Sequence, residues 1–181
     1  MNKSSTGEIL AETIDMLTSG KFEVKTFTQG EAQVHQIMVD RSEYGKVCGS
    51  KGKMIRAIKY IWEVCISRNE EVPIRVNLKE PIDGYSKGRS AEVPSELFDL
   101  NDFLELIEDI MDLVGQIEVE LDDSETRQSL GWDARNKTYK LKIYVEDPPK
   151  YLKSEFEEAC QVLFFAMAKA NGGLVDIIFD G

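Results

Sequence analysis

Histidine is almost missing from this chain of 181 residues, with His35 the only one, and the three cysteines at 48, 65 and 160 are odd in number and widely spaced. Neither a disulfide framework nor a structural zinc site is expected from such a set, and no cofactor or metal is implied. His35 reads as a residue on a strand surface. Long apolar runs are also lacking. No stretch approaches the eighteen residues of a membrane span, and the first ten residues, MNKSSTGEIL, contain no secretory apolar segment. The expectation is a cytoplasmic protein with no membrane partner. Catalytic chemistry has little to stand on: no nucleophile is placed near a histidine base, and Gly49-Ser50-Lys51-Gly52-Lys53 lacks the long GxxxxGK(S/T) phosphate cradle. The chain does not read as an enzyme.

Positive charge is scarce overall, the net charge being −11. It is unevenly distributed. Residues 1–81 hold 12 basic and 11 acidic side chains, whereas residues 95–181 hold 8 and 20. Long-range steering of a polyanion by the whole molecule is therefore poor, while a local basic patch in the first half remains able to meet phosphates at short range.

That patch is the stretch Tyr44 to Ile66, YGKVCGSKGKMIRAIKYIWEVCI. Lys46, Lys51, Lys53, Arg56 and Lys59 surround or follow the loop Gly49-Ser50-Lys51-Gly52, and no acidic residue falls between Lys46 and Lys59. The two glycines suit a tight turn that another backbone can approach. Beyond them Ile55, Ile58, Ile61, Trp62 and Cys65 recur at helical spacing, so an amphipathic helix should begin at the loop with its amino end, a natural anion site, facing it.

The spacing Gly45-x-x-Cys48-Gly49-x-x-Gly52-x-x-Ile55 resembles the signature of the K homology (KH) family, in particular the bacterial type II form found in small stand-alone RNA-binding proteins. The resemblance covers residues 8–79. It implies the order α-β-β-α-α-β and a clamp on about four nucleotides of single-stranded RNA, or single-stranded DNA, at the GxxG loop. Cys48 stands where the family usually has Ile or Val, which makes the groove wall smaller but not polar. On this reading the nucleic-acid-binding residues are Lys46, Cys48, Gly49, Ser50, Lys51, Gly52, Lys53, Ile55, Arg56, Ile58 and Lys59. Loop N–H groups with Lys51 and Lys53 meet phosphate, Arg56 and Lys59 add outer contacts, and bases rest beside Cys48, Ile55 and Ile58. The resemblance also implies that the strand around Ile37 to Val39 offers backbone groups to base edges. A helix-hairpin-helix would explain the loop but not strands at 32–39 and 72–78.

Elsewhere in the first half, a helix is expected over Glu8 to Leu17, a strand from Phe22, a second strand at 32–39, a short helix capped by Ser42, a long helix over 53–68 and a closing strand at 72–78. Pro81, Gly84, Gly88 and Pro94 mark residues 82–94 as a linker between a domain at 1–81 and an acidic one at 95–181. In the second domain the patterns predict a helix at 96–113 capped by Ser95, strands at 117–121 and 139–145, a helix at 154–170 and a last strand from Leu174. Trp132, in the polar segment between those strands, reads as a lid or an exposed contact. The fold class is therefore α+β, a type II KH-like domain followed by an α-β-β-α-β domain that resembles a degenerate KH unit without a GxxG loop. The even scatter of Asp99, Asp102, Glu105, Glu108, Asp109 and Asp112 reads as a solvated face. Phe164 and Phe165 are adjacent and cannot both enter one core, so one of them can serve a protein contact or self-association through residues 95–181. The function expected is a single-stranded RNA-binding adaptor; the alternative is a protein-interaction module whose nucleic-acid site is weak or inactive, with the acidic half competing for residues 46–59.

Overall fold

The computed structural model describes residues 5–18, 22–81, 100–115, 117–122, 138–145, 153–170 and 174–180. It is an α+β fold. In the first half, α1 (Thr6–Leu17) is followed by β1 (Phe22–Gln29), β2 (Ala32–Val39), α2 (Arg41–Cys48), a 3-10 turn (Ser50–Gly52), α3 (Lys53–Lys59) and β3 (Ile74–Leu78). In the second, α4 (Leu100–Val114), β4 (Ile117–Asp122), β5 (Thr138–Val145), α5 (Lys153–Ala170) and β6 (Leu174–Asp180) follow. Each half builds its own three-stranded sheet, in the order β1-β2-β3 and β4-β5-β6. In both, the first two strands are antiparallel and the last two parallel. The expected linker at 82–94, Ser95 and Trp132 lie outside the described residues.

Apolar patterning dictates where these elements pack. On α1, Ile9, Leu10, Thr13, Ile14 and Leu17 are buried, one helical face turned to the sheet and to the other half. Its start is fixed by Ser5, whose hydroxyl accepts the Glu8 N–H at 3.1 Å. The cap of α2 is Asp40 rather than Ser42: its carboxylate accepts the Ser42 N–H at 2.9 Å and the Ser42 hydroxyl at 2.6 Å. A carboxylate outdoes a hydroxyl there because the first turn of a helix carries partial positive charge.

The long helix expected over 53–68 is continuous but not uniform. After Lys59 it widens into a π-helical segment, Tyr60–Ile66, and ends in a 3-10 turn, Ser67–Asn69. The Ser67 N–H reaches back five residues to the Trp62 carbonyl. This register sets Glu63 and Ser67 over the outer edge of β3, where the Glu63 carboxylate accepts the Val76 N–H at 2.8 Å and the Ser67 hydroxyl accepts the Ile74 N–H at 3.0 Å.

Four layers result, sheet, helices, helices, sheet. Between the halves α1 packs on α4 and α3 on α5, while α1 also meets α5 and α4 also meets the π-helical segment. Each contact has a counterpart with the halves exchanged, as a two-fold axis would require. One buried cluster therefore runs from Ile37, Ile58, Ile61 and Trp62 through to Phe103, Ile107, Leu163 and Phe164. Asn69 adds a polar tie, its side-chain amide donating to the Leu113 and Val114 carbonyls at the end of α4. Along α4 the buried stripe is Phe103, Leu106, Ile107, Ile110 and Met111, with Leu104 half-buried at its margin.

His35 is not on a strand surface but wholly buried between β2 and α1. Its Nε2 pairs with the Thr6 hydroxyl and its Nδ1 with the Thr26 hydroxyl, both at 2.8 Å, so one ring nitrogen donates and the other accepts. Burial lowers its pKa and keeps the ring neutral. Trp62 closes the same corner, its indole N–H donating to the Thr6 carbonyl at 3.1 Å. Cys65 and Cys160 are buried where the two halves meet. Burial pushes the Cys65 thiol up to about 12, and burial together with nearby Cys65 raises Cys160 well above its ordinary value, so both stay protonated and unreactive. No helix among the described residues is long and apolar enough to cross a membrane.

Candidate nucleic-acid interface

The interface begins where α2 must stop. Gly49 ends it with φ +78°, and its N–H donates to the Gly45 carbonyl at 2.8 Å. A Cβ built on Gly49 would lie 2.6 Å from the backbone nitrogen of Met54 and 2.7 Å from its Cβ. Both the dihedral and the space thus demand glycine, and the demand comes from the first turn of α3. The turn then closes on itself: the Gly52 N–H bonds the Gly49 carbonyl at 3.1 Å and the Lys53 N–H bonds the Ser50 carbonyl.

Lys51 carries the cost of this geometry. It is the one non-glycine residue with positive φ among the described residues, at +56°, a conformation worth about 1–2 kcal/mol of strain. Arg56 holds it there, its Nη1 donating to the Lys51 carbonyl at 2.6 Å across the loop. One nitrogen of the guanidinium expected to contact phosphate thus braces the loop, and of the loop N–H groups expected to meet phosphate those of Gly52 and Lys53 are used within the turn. What the loop turns outward is the side chains of Ser50, Lys51 and Lys53, all exposed.

The remaining residues divide. Lys46 is half-exposed and lies 2.8 Å from the Glu43 carboxylate, so its charge is already answered. The three-residue spacing of Glu43 and Lys46 on a helix was the legible signal for that pair. Lys59 is half-buried on α3 and, with Lys51 and Lys53, meets no carboxylate among the described residues. Cys48 and Ile55 are half-buried on either side of the loop. Tyr44 lies one turn back on α2, and burial, then the neighbouring Cys48 side chain, raises the pKa of its phenol. Ile58 is fully enclosed in the core and exposes nothing to a base. The backbone of β2 is occupied as far as Ile37: it pairs with β1 over Ala32–Val39 and with β3 over Gln33–Ile37, and the Ile37 carbonyl accepts the Lys79 N–H at 3.0 Å.

The acidic half packs on the buried side of α3 and leaves the outer side chains of the loop uncovered. Among the described residues no group of three His, Cys, Asp or Glu is placed to hold a metal ion. In comparisons with protein-family models, curated proteins and solved structures, none matches the chain.

Proposed function

We propose that the chain is a non-enzymatic binder of single-stranded RNA with one KH-type clamp at residues 49–52. The observation that carries this reading is the loop itself: a glycine-fixed turn at the amino end of α3 that presents Ser50, Lys51 and Lys53 to solvent with no carboxylate among the described residues to neutralise them. The element order from α1 to β3, with the loop between α2 and α3, supports the type II KH assignment. Phosphate sits against Ser50, Lys51 and Lys53, with Lys59 one turn on, and the half-buried Cys48 and Ile55 flank the bases. Arg56 acts through the loop, as a positioning residue. Among the described residues the second half has one helix, α5, where the first has α2, the loop and α3, and its sequence there, Lys153 to Glu158, carries no GxxG, so it supplies scaffold rather than a second clamp.

Replacing both Ser50 and Lys51 with Asp is expected to weaken binding of a short single-stranded RNA at least about tenfold and to flatten the salt dependence, with the circular-dichroism spectrum preserved. Unchanged affinity in a salt-controlled titration would overturn the assignment. The same titration with single-stranded DNA tells the two nucleic acids apart. One observation favours the protein-contact alternative: Phe165 on α5 is 45% exposed beside its fully buried neighbour Phe164. A Phe165→Ser chain that keeps RNA affinity but loses a protein retained by the wild type would assign that contact.

A further inference from the structure

The two edges of the first sheet are treated differently. At the β3 edge the outward N–H groups of Ile74 and Val76 are taken by Ser67 and Glu63, so no further strand can pair there. At the β1 edge the geometry follows from the hairpin. Gln29 pairs with Ala32 across a two-residue turn in which Gly30 has φ +62°, and such a flanking pair exchanges both of its hydrogen bonds. Alternation then turns the backbone of Glu23, Lys25, Phe27 and Gln29 toward β2, and that of Phe22, Val24, Thr26 and Thr28 outward. β2 agrees, since its alternate set, Gln33 and Ile37, bonds β3. Among the described residues no hydrogen bond reaches the outward N–H or C=O groups of Val24, Thr26 or Thr28, and Lys25 to Gln29 are exposed, with Phe27 at 41%.

We propose that this edge is the contact between two copies of the chain, β1 pairing antiparallel with β1 of the second copy about a two-fold axis at Val24. Charge selects both the occupant and the register. Glu23 and Lys25 lie on one sheet face, one position either side of Val24. A pairing centred on Val24 sets Glu23 of each copy opposite Lys25 of the other, twice; centring on Glu23 or on Lys25 sets like charges face to face. Opposite charges across strands stabilise and like charges destabilise. A lone lysine on an edge strand normally deters pairing, but here Glu23 answers it in the second copy. Phe22 meets Thr26 on the far face, and two three-stranded sheets become one of six. Resting on the clamp reading, the dimer would also hold two clamps and gain avidity for longer strands.

Sedimentation equilibrium of the full chain tests the contact without nucleic acid, so its failure and that of the clamp are separable. A reversible dimer is expected over about a hundredfold range of micromolar concentration. Lys25→Glu should weaken it about tenfold or more, and the swap Glu23→Lys with Lys25→Glu should restore it. Val24→Pro, which removes the outward N–H and some packing of a half-buried side chain, should abolish it while the circular-dichroism spectrum is kept, whereas Val24→Ala, which trims the packing alone, should leave it. A wild-type chain that stays monomeric, a swap no better than Lys25→Glu alone, or a dimer indifferent to Val24→Pro would each overturn the proposal.

Discussion

The two halves of the molecule share a plan, and among the described residues they part most clearly in the crossover. Both set a helix ahead of an antiparallel hairpin and return through a helical crossover to a parallel third strand. In the first half that crossover is broken into α2, a glycine turn and α3; in the second its described part is the eighteen-residue α5. The frame is thus indifferent to whether the crossover is interrupted, because the residues that hold it, Ala57, Ile58, Ile61 and Trp62 on one side and Cys160, Leu163, Phe164 and Met167 on the other, face a single core. The interruption is a local invention paid for locally, in the positive φ of Lys51 and in glycine at 49.

The comparison breaks most readily at the shared core. Phe164→Ala, in the second half, should cost about 3–5 kcal/mol and should lower the stability of the first half equally. Urea unfolding followed by tryptophan fluorescence and by far-ultraviolet circular dichroism should then give one coincident transition. Two separated transitions would show that the halves are independent. A smaller effect distinguishes the glycines of the motif. Gly49→Ala meets both the backbone of Met54 and an unfavourable φ, and should cost about 2–4 kcal/mol. Gly45 lies in α2 with nothing within 4 Å of an added Cβ, so Gly45→Ala should instead stabilise by about 0.5–1 kcal/mol, as thermal unfolding of the two variants would show.

Acidification sharpens the contrast between a buried base and surface acids. Because the native pKa of His35 is lowered, the unfolded chain binds a proton below about pH 6.5 that the native chain refuses. Stability from this group should fall by up to about 1.4 kcal/mol per pH unit as pH drops from that point toward the native pKa. His35→Gln should remove that slope, measured as urea midpoints between neutral and mildly acidic pH. Glu12 and Asp109 act oppositely. Burial first, then Asp109 and Glu105 of α4 in the case of Glu12 and Asp112 in the case of Asp109, raises both pKa values, so their ionisation costs stability as pH rises through the native values. Glu12→Gln should stabilise the chain at neutral pH by only a few tenths of a kcal/mol, since solvent screens the site, and added salt should shrink the gain.

Much of this was legible in the sequence because periodicity reports burial. The strands at 32–39 and 117–121, the helices at Glu8 to Leu17 and 154–170, and the opposite fates of Phe164 and Phe165 follow from spacing alone. What escaped depended on partners distant in the chain. His35 alternates correctly for a strand, yet nothing local announces the two threonines that satisfy it, one of them 29 residues away. The π-helical turn goes with the bonds from β3 to Glu63 and Ser67, which no helical pattern encodes. At the loop, spacing placed Lys51 and Lys53 outside, but it could not show that Arg56 turns back on the loop or that Ile58 belongs wholly to the core.

The polar tie at Asn69 has a kinetic consequence. The terminal carbonyls of α4 receive their donors from a residue at the end of the first half's last helical turn, and the Gly115 N–H that closes α4 bonds the Met111 carbonyl at 2.9 Å. Opening of the first half therefore releases the end of α4, and the amide of Gly115 should exchange with solvent deuterium in step with amides around Ser67 rather than by independent fraying. A slow-exchanging probe in one half would report the breathing of the other.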